Sequence, residues 1–165
     1  MLPCLSDEAN LPYVRAVLHE THRSSSLLVN GVPRRASEDI VLSNGMVIPE
    51  NTAVFANMYQ IHHDPEYWRD PQKFWPERFL DASGAVFTPD ERVLPFGIGR
   101  RVCPGQTLAE KEFFLFFTAV MLKFRVAAAP GTELPGHGIL DTPVTGIVRK
   151  PPTHYLTLTP RNLKC

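Results

Sequence analysis

A ten-residue run around one cysteine constrains this chain more than any other feature. Residues 96–105 read Phe-Gly-Ile-Gly-Arg-Arg-Val-Cys-Pro-Gly, which gives the spacing F-x-x-G-x-R-x-C-x-G. The apolar residues of 106–124 then recur at spacings of one, three and four. This periodicity predicts a helix there, with Pro104 at its first position. Cys103 would therefore stand at the amino end of a helix, where free backbone N–H groups favour a thiolate.

The neighbours of Cys103 suit a site for a flat ligand. Glycines such as Gly99 and Gly105 let the main chain turn tightly and approach a ligand closely. Arg101 offers a forked cation that matches a carboxylate. Phe96 can cover the sulfur and exclude water, which tunes a metal bound there. The alternative interpretation is that Cys103 is a small buried hydrophobic residue.

The composition narrows the class of protein. The 165 residues include 17 Lys plus Arg, 17 Asp plus Glu, and 44% hydrophobic residues. These values indicate a globular protein without a basic footprint for nucleic acid. The three cysteines lie too far apart for a disulfide framework, which favours a reducing compartment. The first residues lack the basic and apolar stretches expected of a signal peptide, and the longest apolar run, residues 113–122, is expected to be too short to cross a bilayer.

Two further motifs lie upstream of the cysteine. Residues 12–23 have the pattern of a helix on which Glu20 and Arg23 are neighbours. Alone, such a pair is a solvated ion pair of little energetic weight. Residues 74–79 read Phe-Trp-Pro-Glu-Arg-Phe and contain the segment P-E-R-F.

Together these motifs resemble the cytochrome P450 monooxygenases, most of all their animal microsomal branch of the family-2 type. The implied fold is mainly α with small β-sheets. It is the carboxyl-terminal part of the P450 fold: helix K, a Pro-rich meander, the cysteine loop, helix L and terminal β-hairpins. Residues 1–165 would be the haem-binding carboxyl-terminal portion of a single larger monooxygenase domain, of which the amino-terminal two-thirds are absent.

The resemblance also implies roles for individual residues. Cys103 is the axial thiolate ligand of the iron of haem b, and it pushes electron density toward O–O cleavage. The other cofactor-binding residues are Arg101, Phe96, Gly99, Gly105, Ala109 and Arg34. Arg34 can instead be a surface residue, because many relatives have a His at its position. The substrate-pocket candidates are Leu28, Val32, Pro33, Val144 and Thr145. The segment containing the last two can also be the tip of an edge hairpin.

The resemblance implies that Glu20, Arg23 and Arg78 form a buried structural network. Two guanidiniums share one carboxylate in that network. Backbone carbonyls must therefore accept the spare N–H donors. The implied role is to lock the irregular meander that leads to Cys103.

The implied reaction inserts one atom of O2 into a C–H bond of a steroid, fatty acid or xenobiotic. Electrons would come from an NADPH-dependent cytochrome P450 reductase that docks near Arg100 and Lys111. The expected location is the cytoplasmic face of the endoplasmic reticulum membrane, through an anchor preceding this chain. The residues that deliver protons for O–O cleavage would also precede residue 1. Two alternatives stay open: an inactive truncated product, and a haem-binding or electron-carrying module without monooxygenation.

The remaining patterns give further expectations. The sequence predicts strands at 27–29 and 154–159, a hairpin over 40–48, a helix over 54–61, and loops over 81–95 and 127–138. His62 and His63 are expected to end a helix before Pro65 rather than to bind a metal. His19 and His22 are predicted at the surface. The helix over 106–124 is apolar nearly all round, so the isolated chain is expected to be marginally stable or aggregation-prone.

Overall fold

Three α-helices and four two-stranded antiparallel sheets form the described part of the chain, residues 2–134, 144–145 and 147–162 of a computed structural model. The helices are α1 (Pro12–Ser25), α2 (Met58–His63) and α3 (Gln106–Lys123). The strands are β1 (Arg34–Arg35), β2 (Ile40–Val41), β3 (Val47–Ile48), β4 (Ala53–Val54), β5 (Phe124–Ala128), β6 (Val144–Thr145), β7 (Val148–Arg149) and β8 (Leu156–Pro160). The sheets pair β1 with β4, β2 with β3, β5 with β8, and β6 with β7. This architecture confirms the predicted fold class.

Helix α1 is the element on which the core is built. Pro12 occupies its first turn, where a missing N–H is harmless, and Ser26 ends it in the left-handed region at φ 40°. Its inner face packs on the 3-10 helix Pro76–Phe79 and on α3. The central cluster of buried apolar side chains consists of Ala16, Trp68, Phe79 and Val93. The core thus fastens α1 to the meander that precedes the cysteine loop.

The predicted hairpin over residues 40–48 is present. Ile40 pairs with Ile48 and Val41 pairs with Val47. Gly45 turns the chain at φ 82°, a conformation that favours glycine. The predicted helices over 12–23 and 106–124 are also confirmed, as α1 and α3. The closing strand lies at Leu156–Pro160, two residues later than predicted at its start.

Other segments differ from the sequence predictions. Residues 27–29 form a bend that leads into a turn rather than a strand, because the helix ends in the left-handed residue before them. The predicted helix over 54–61 is wrong at its start, since Val54 pairs with Arg34 in a sheet. Helix α2 begins only after Asn57, whose side chain accepts the Gln60 N–H at 2.9 Å. The predicted loop over 127–138 begins too early, because β5 extends to residue 128, and its residues 135–138 lie outside the described part.

The predicted surface position of two α1 histidines is wrong. His19 and His22 are half-buried, and His19 packs edge-on against Phe79 with ring centroids 4.6 Å apart. Pro104 also lies before the first helical residue rather than at it, since α3 begins at Gln106 with Gly105 as its N-cap.

Helix α3 leaves much of its apolar surface open. Phe114 is 1% exposed, whereas Leu108 and Phe116 are 64% and 69% exposed. Val120 and Met121 are also exposed, at 39% and 40%. Apolar surface of this extent favours association. This exposure supports the expectation that the isolated chain tends to aggregate.

Candidate cofactor site

One large cavity brings the cysteine loop together with the segment that follows α1. It has a volume of about 620 Å³ and a mainly apolar lining. A cavity of this size lies in the range that accommodates organic ligands and cofactors. Six of the candidate cofactor and substrate residues line it: Leu28, Val32, Arg34, Phe96, Arg101 and Cys103.

The cysteine loop is held by bonds within its own main chain. The Cys103 N–H donates to the Phe96 carbonyl at 3.0 Å, and the Val102 N–H donates to the Gly99 carbonyl at 3.1 Å. Gly97 and Gly99 have φ angles of 76° and 72°, in the region where a side chain would be strained. A Cβ on either glycine would meet no described atom within 4 Å. The loop therefore presents bare main chain beside the sulfur, as close contact with a flat ligand requires.

The sulfur of Cys103 lies at the amino end of α3. The thiol is exposed and forms no disulfide with another described residue. The Cys103 carbonyl accepts the Gln106 N–H at 3.2 Å, and a Cβ on Gly105 would stand 3.8 Å from the Cys103 Sγ. Free N–H groups at a helix start carry partial positive charge. The positive end of α3 is therefore directed at the loop that contains the candidate metal ligand.

Two guanidiniums belong to the same part of the cavity. Arg34, on β1, donates from Nη2 to the main-chain carbonyl of Arg101 at 3.0 Å. Both side chains are exposed and line the cavity. A haem carries two propionate carboxylates, which pair well with guanidiniums. One thiol, two guanidiniums and apolar walls are a donor set that fits a haem.

Glu20 and Arg23 form the centre of a separate buried cluster. Arg23 donates to Glu20 through two bonds, Nε to Oε2 at 2.7 Å and Nη2 to Oε1 at 2.8 Å. Neither residue is exposed. Arg23 Nη1 also donates to the carbonyls of His62 and Pro71 at 2.7 and 3.0 Å. Charge-assisted bonds of this geometry are among the stronger contacts in a protein.

Arg78 joins the same carboxylate. Its Nε lies 3.4 Å from Glu20 Oε2 but makes no hydrogen bond to a described group, while its Nη1 donates to the Arg69 carbonyl at 2.8 Å. Glu20 Oε1 also accepts the Trp75 N–H at 2.8 Å. Burial lowers the pKa of Arg78, and its attraction to Glu20 opposes this shift. The structure thus brings the three network residues together and directs their spare donors to main-chain carbonyls.

The adjacent histidines of α2 are part of the core. Burial lowers the pKa of His62 to about 4, and nearby His63 and Arg23 add to the effect. Burial also lowers the pKa of His63 to about 4, although a bond to the Tyr59 carbonyl opposes this shift. Within the described ranges, no three His, Cys, Asp or Glu residues are placed to hold a metal ion.

Several residues singled out in the sequence lie outside the cavity. Among the described residues, Gly99, Gly105, Ala109 and Pro33 are not part of its lining. Ala109 is half-buried, and its N–H donates to the Gly105 carbonyl at 2.9 Å in the first turn of α3. Val144 and Thr145 form β6, opposite β7, and their side chains lie outside the described part of the chain.

Other residues line the cavity that the sequence analysis did not assign to a site, among them His22, Ser25, Met58 and Ile98. His22 packs edge-on against the rings of Phe96 and Phe113, with centroids 5.5 and 5.1 Å away. It therefore links α1, the cysteine loop and α3. Burial lowers the pKa of His22, and nearby His19 adds to this shift. Its position four residues after buried Leu18 was the available signal, because residues four apart share one helix face.

Comparison with known proteins identifies the family of the chain. The family described as cytochrome P450 matches residues 2–158 of the chain. Over 150 residues the chain is 41% identical to cytochrome P450 1A2 of Pongo abelii, covering 90% of this chain and 28% of that protein. It is 39% identical over 155 residues to cytochrome P450 2B9 of Mus musculus, covering 94% and 30%. For cytochrome P450 1A1 of Sparus aurata the identity is 42% over 134 residues, covering 80% and 26%.

The chain belongs to the cytochrome P450 family. The cofactor of this family is haem, in agreement with the donor set around the cavity. The chain spans between 26% and 30% of the length of the three relatives just named. Within the residues that the structure describes, we find no helix with the length and apolar character needed to cross a membrane.

Proposed function

We propose that the protein carrying this chain is a haem-dependent monooxygenase in which Cys103 is the axial ligand of the iron. The observation that carries this proposal is the cavity that Cys103 shares with Phe96, Arg34 and Arg101. A thiol at the amino end of a helix, two guanidiniums and apolar walls are what a haem with a thiolate ligand needs. Family membership supports the same cofactor.

Each residue of the site would have a separate task. Haem supplies the redox chemistry that activates O2. Arg101 and Arg34 hold the two propionates and so fix the cofactor plane. Phe96, which lines the cavity with Cys103, would shield the sulfur from water once haem is bound. Gly99, Gly105 and Ala109 do not line the cavity, but as small residues next to it in the chain they would let the ring approach the loop and α3 closely.

The proposed substrate is a small organic molecule of the steroid, fatty acid or xenobiotic class. The candidate substrate contacts are Leu28 and Val32, which line the cavity, together with Pro33, Val144 and Thr145, which are proposed by resemblance alone. The apolar lining supports a substrate of low polarity. Residues 1–165 would form the haem-binding portion of a single larger domain, and the protein would act at the cytoplasmic face of the endoplasmic reticulum membrane.

The proposed electron donor is an NADPH-dependent cytochrome P450 reductase. Arg100 and Lys111 are exposed on the loop and helix that carry the candidate ligand, and they can attract an acidic partner. Reversal of charge in Arg100→Glu should slow reduction by the reductase at low salt, whereas Arg100→Lys should not. Equal reduction rates for the two variants would count against this docking site.

The decisive experiment is an absorption spectrum of the haem-loaded protein, reduced and exposed to carbon monoxide. A thiolate ligand should give a strongly red-shifted Soret band, and Cys103→Ala should abolish that band. Cys4→Ala is the matched control, since Cys4 is also an exposed free cysteine but does not line the cavity. An unshifted band, or a shifted band that survives Cys103→Ala, would refute the proposed ligation.

A further inference from the structure

His62 is the one residue that bonds at the same time to the end of α1 and to the approach of the cysteine loop, within the described part of the chain. It is 0% exposed. Its Nδ1 lies 2.8 Å from Ser26 Oγ, and its Nε2 accepts the Leu94 N–H at 2.9 Å. Both ring nitrogens are therefore engaged, each by a different segment of the chain.

The partners of His62 fix which nitrogen carries the proton. A backbone N–H can only donate, so Nε2 facing Leu94 must be unprotonated. At the other side, the Ser26 hydroxyl donates to the Arg23 carbonyl at 2.9 Å. Its single hydrogen is thereby used, so Nδ1–H must donate to Ser26 Oγ. The bond to Ser26 and the bond to Leu94 therefore require the same neutral tautomer of His62, with the proton on Nδ1.

The bond to Leu94 lies at the start of a main-chain ladder that reaches the candidate ligand. The Leu94 carbonyl accepts the Gly97 N–H at 3.1 Å, which sets the first turn of the loop. Two residues after Leu94, the Phe96 carbonyl accepts the Cys103 N–H at 3.0 Å. This series of main-chain hydrogen bonds therefore connects the imidazole of His62 to Cys103.

On the side of Ser26, the hydrogen bonds of His62 continue to Arg23 of the buried ion cluster. Arg23 accepts from Ser26 through its carbonyl and donates from Nη1 to the His62 carbonyl at 2.7 Å. Arg23, Ser26 and His62 thus form a closed ring of hydrogen bonds between α1 and α2. A ring of this kind leaves His62 little freedom, so the position of its Nε2 is well defined.

We propose that His62 is a positioning residue of the cysteine loop. Its Nδ1–H imidazole transmits the geometry of the α1–α2 pair to the main chain at Leu94 and so holds the loop in the shape that receives the cofactor. The consequence for haem rests on the proposed function above; the consequence for the loop does not. A simple core residue would fill the same space without directing a bond to Leu94.

Two amide variants separate these roles. In His62→Gln the side-chain oxygen can take the place of Nε2 and accept from Leu94. In His62→Asn the shorter side chain can reach only the place of Nδ1, so the Leu94 N–H loses its acceptor. Both variants insert an amide into the same buried site. His63→Gln is the matched control, because His63 Nδ1 bonds only within α2, to the Tyr59 carbonyl at 3.0 Å.

Amide hydrogen exchange over residues 94–103 gives a readout that does not need haem. His62→Asn should speed exchange at Leu94 and in the loop on the order of tenfold, the scale of one lost hydrogen bond. His62→Gln and His63→Gln should stay close to the parent. Haem release, followed by transfer to an apoglobin acceptor, should accelerate in the same order, with His62→Asn fastest.

Equal loop exchange in the Asn and Gln variants would overturn the proposal, and so would faster exchange spread evenly over the whole chain. A parent protein that shows no red-shifted carbon monoxide band would refute the proposed ligation alone. In that case a loop response confined to His62→Asn would still support the positioning role. Loop exchange unchanged in His62→Asn would refute the positioning role even with the ligation intact.

Discussion

The carboxylate of Glu20 and the guanidinium of Arg23 form a bidentate pair three residues apart on α1, with neither side chain exposed. Removal of Arg23 deprives the buried carboxylate of its bidentate partner and leaves only Arg78 Nε beside it, at 3.4 Å. We expect Arg23→Gln to lower the free energy of unfolding by about 3–5 kcal/mol, as measured by chemical denaturation.

A surface pair between Arg15 of α1 and Glu8 of the preceding 3-10 helix provides the control for that loss. Arg15 lies 3.8 Å from Glu8, and the two side chains are 37% and 42% exposed. Arg15→Gln should change the free energy of unfolding by about 1 kcal/mol or less. Similar losses in Arg15→Gln and Arg23→Gln would show that the buried pair has no special weight.

Acid should destabilise the fold through the two histidines of α2. His62 and His63 have pKa values of about 4 in the folded chain, compared with the ordinary value of 6.5. The unfolded state therefore binds protons first, and stability is lost as the pH falls from 6.5 toward about 4. Arg23 adds to the lowered pKa of both, and His19 and His22 add to that of His62.

The measurement is the denaturation midpoint at a series of pH values. His62→Gln should weaken the fall between about pH 6.5 and 5, where carboxylates titrate little. A midpoint in the parent that is flat across this interval would contradict the buried neutral state of both rings.

The two arginines of the cavity should both contribute to haem retention. Arg101→Gln and Arg34→Gln each remove a cation that can pair with a propionate, and each should weaken haem binding by about tenfold. Arg35→Gln is the control, because Arg35 neighbours Arg34 on β1 but does not line the cavity. Haem titration of the three variants distinguishes a site contact from a general effect of charge.

Helix α3 provides a contrast between buried and exposed aromatic residues. Phe114→Ala should lower the free energy of unfolding by about 3–5 kcal/mol, because it opens a cavity in the core. Phe116→Gln should leave stability within about 1 kcal/mol and reduce self-association. Sedimentation velocity of the isolated chain tests the second statement. Unchanged association in Phe116→Gln would mean that another surface is responsible.

Local signals in the sequence predicted the parts of the fold that depend on local interactions. Helix α3 follows from apolar periodicity, and the hairpin of β2 and β3 follows from Asn44 and Gly45. Pairings between distant segments were not predicted. Strand β5 pairs Phe124 with Pro160, and β1 pairs Arg34 with Val54, so neither strand carries its partner nearby in the sequence.

The same distinction holds for the candidate site. Cys103 and Arg101 belong to one short motif and were identified together. The contribution of His22 depends on how α1 packs against two other elements, and that of His62 depends on a contact with Leu94 made only after folding. A pattern of apolar spacing marks such residues as inward-facing but does not state which neighbour they meet.

The hydrogen bonds from the buried cluster to residues 69–75 all use main-chain atoms of that segment: the carbonyls of Arg69, Asp70, Pro71 and Lys73, and the N–H of Trp75. Main-chain carbonyl groups are present at every residue, whatever its side chain. Substitutions at exposed positions such as Gln72 should therefore leave the main-chain path of the segment unchanged. Segments of different sequence can therefore follow the same main-chain path here, because the three charged residues bond to the main chain and do not constrain the side chains.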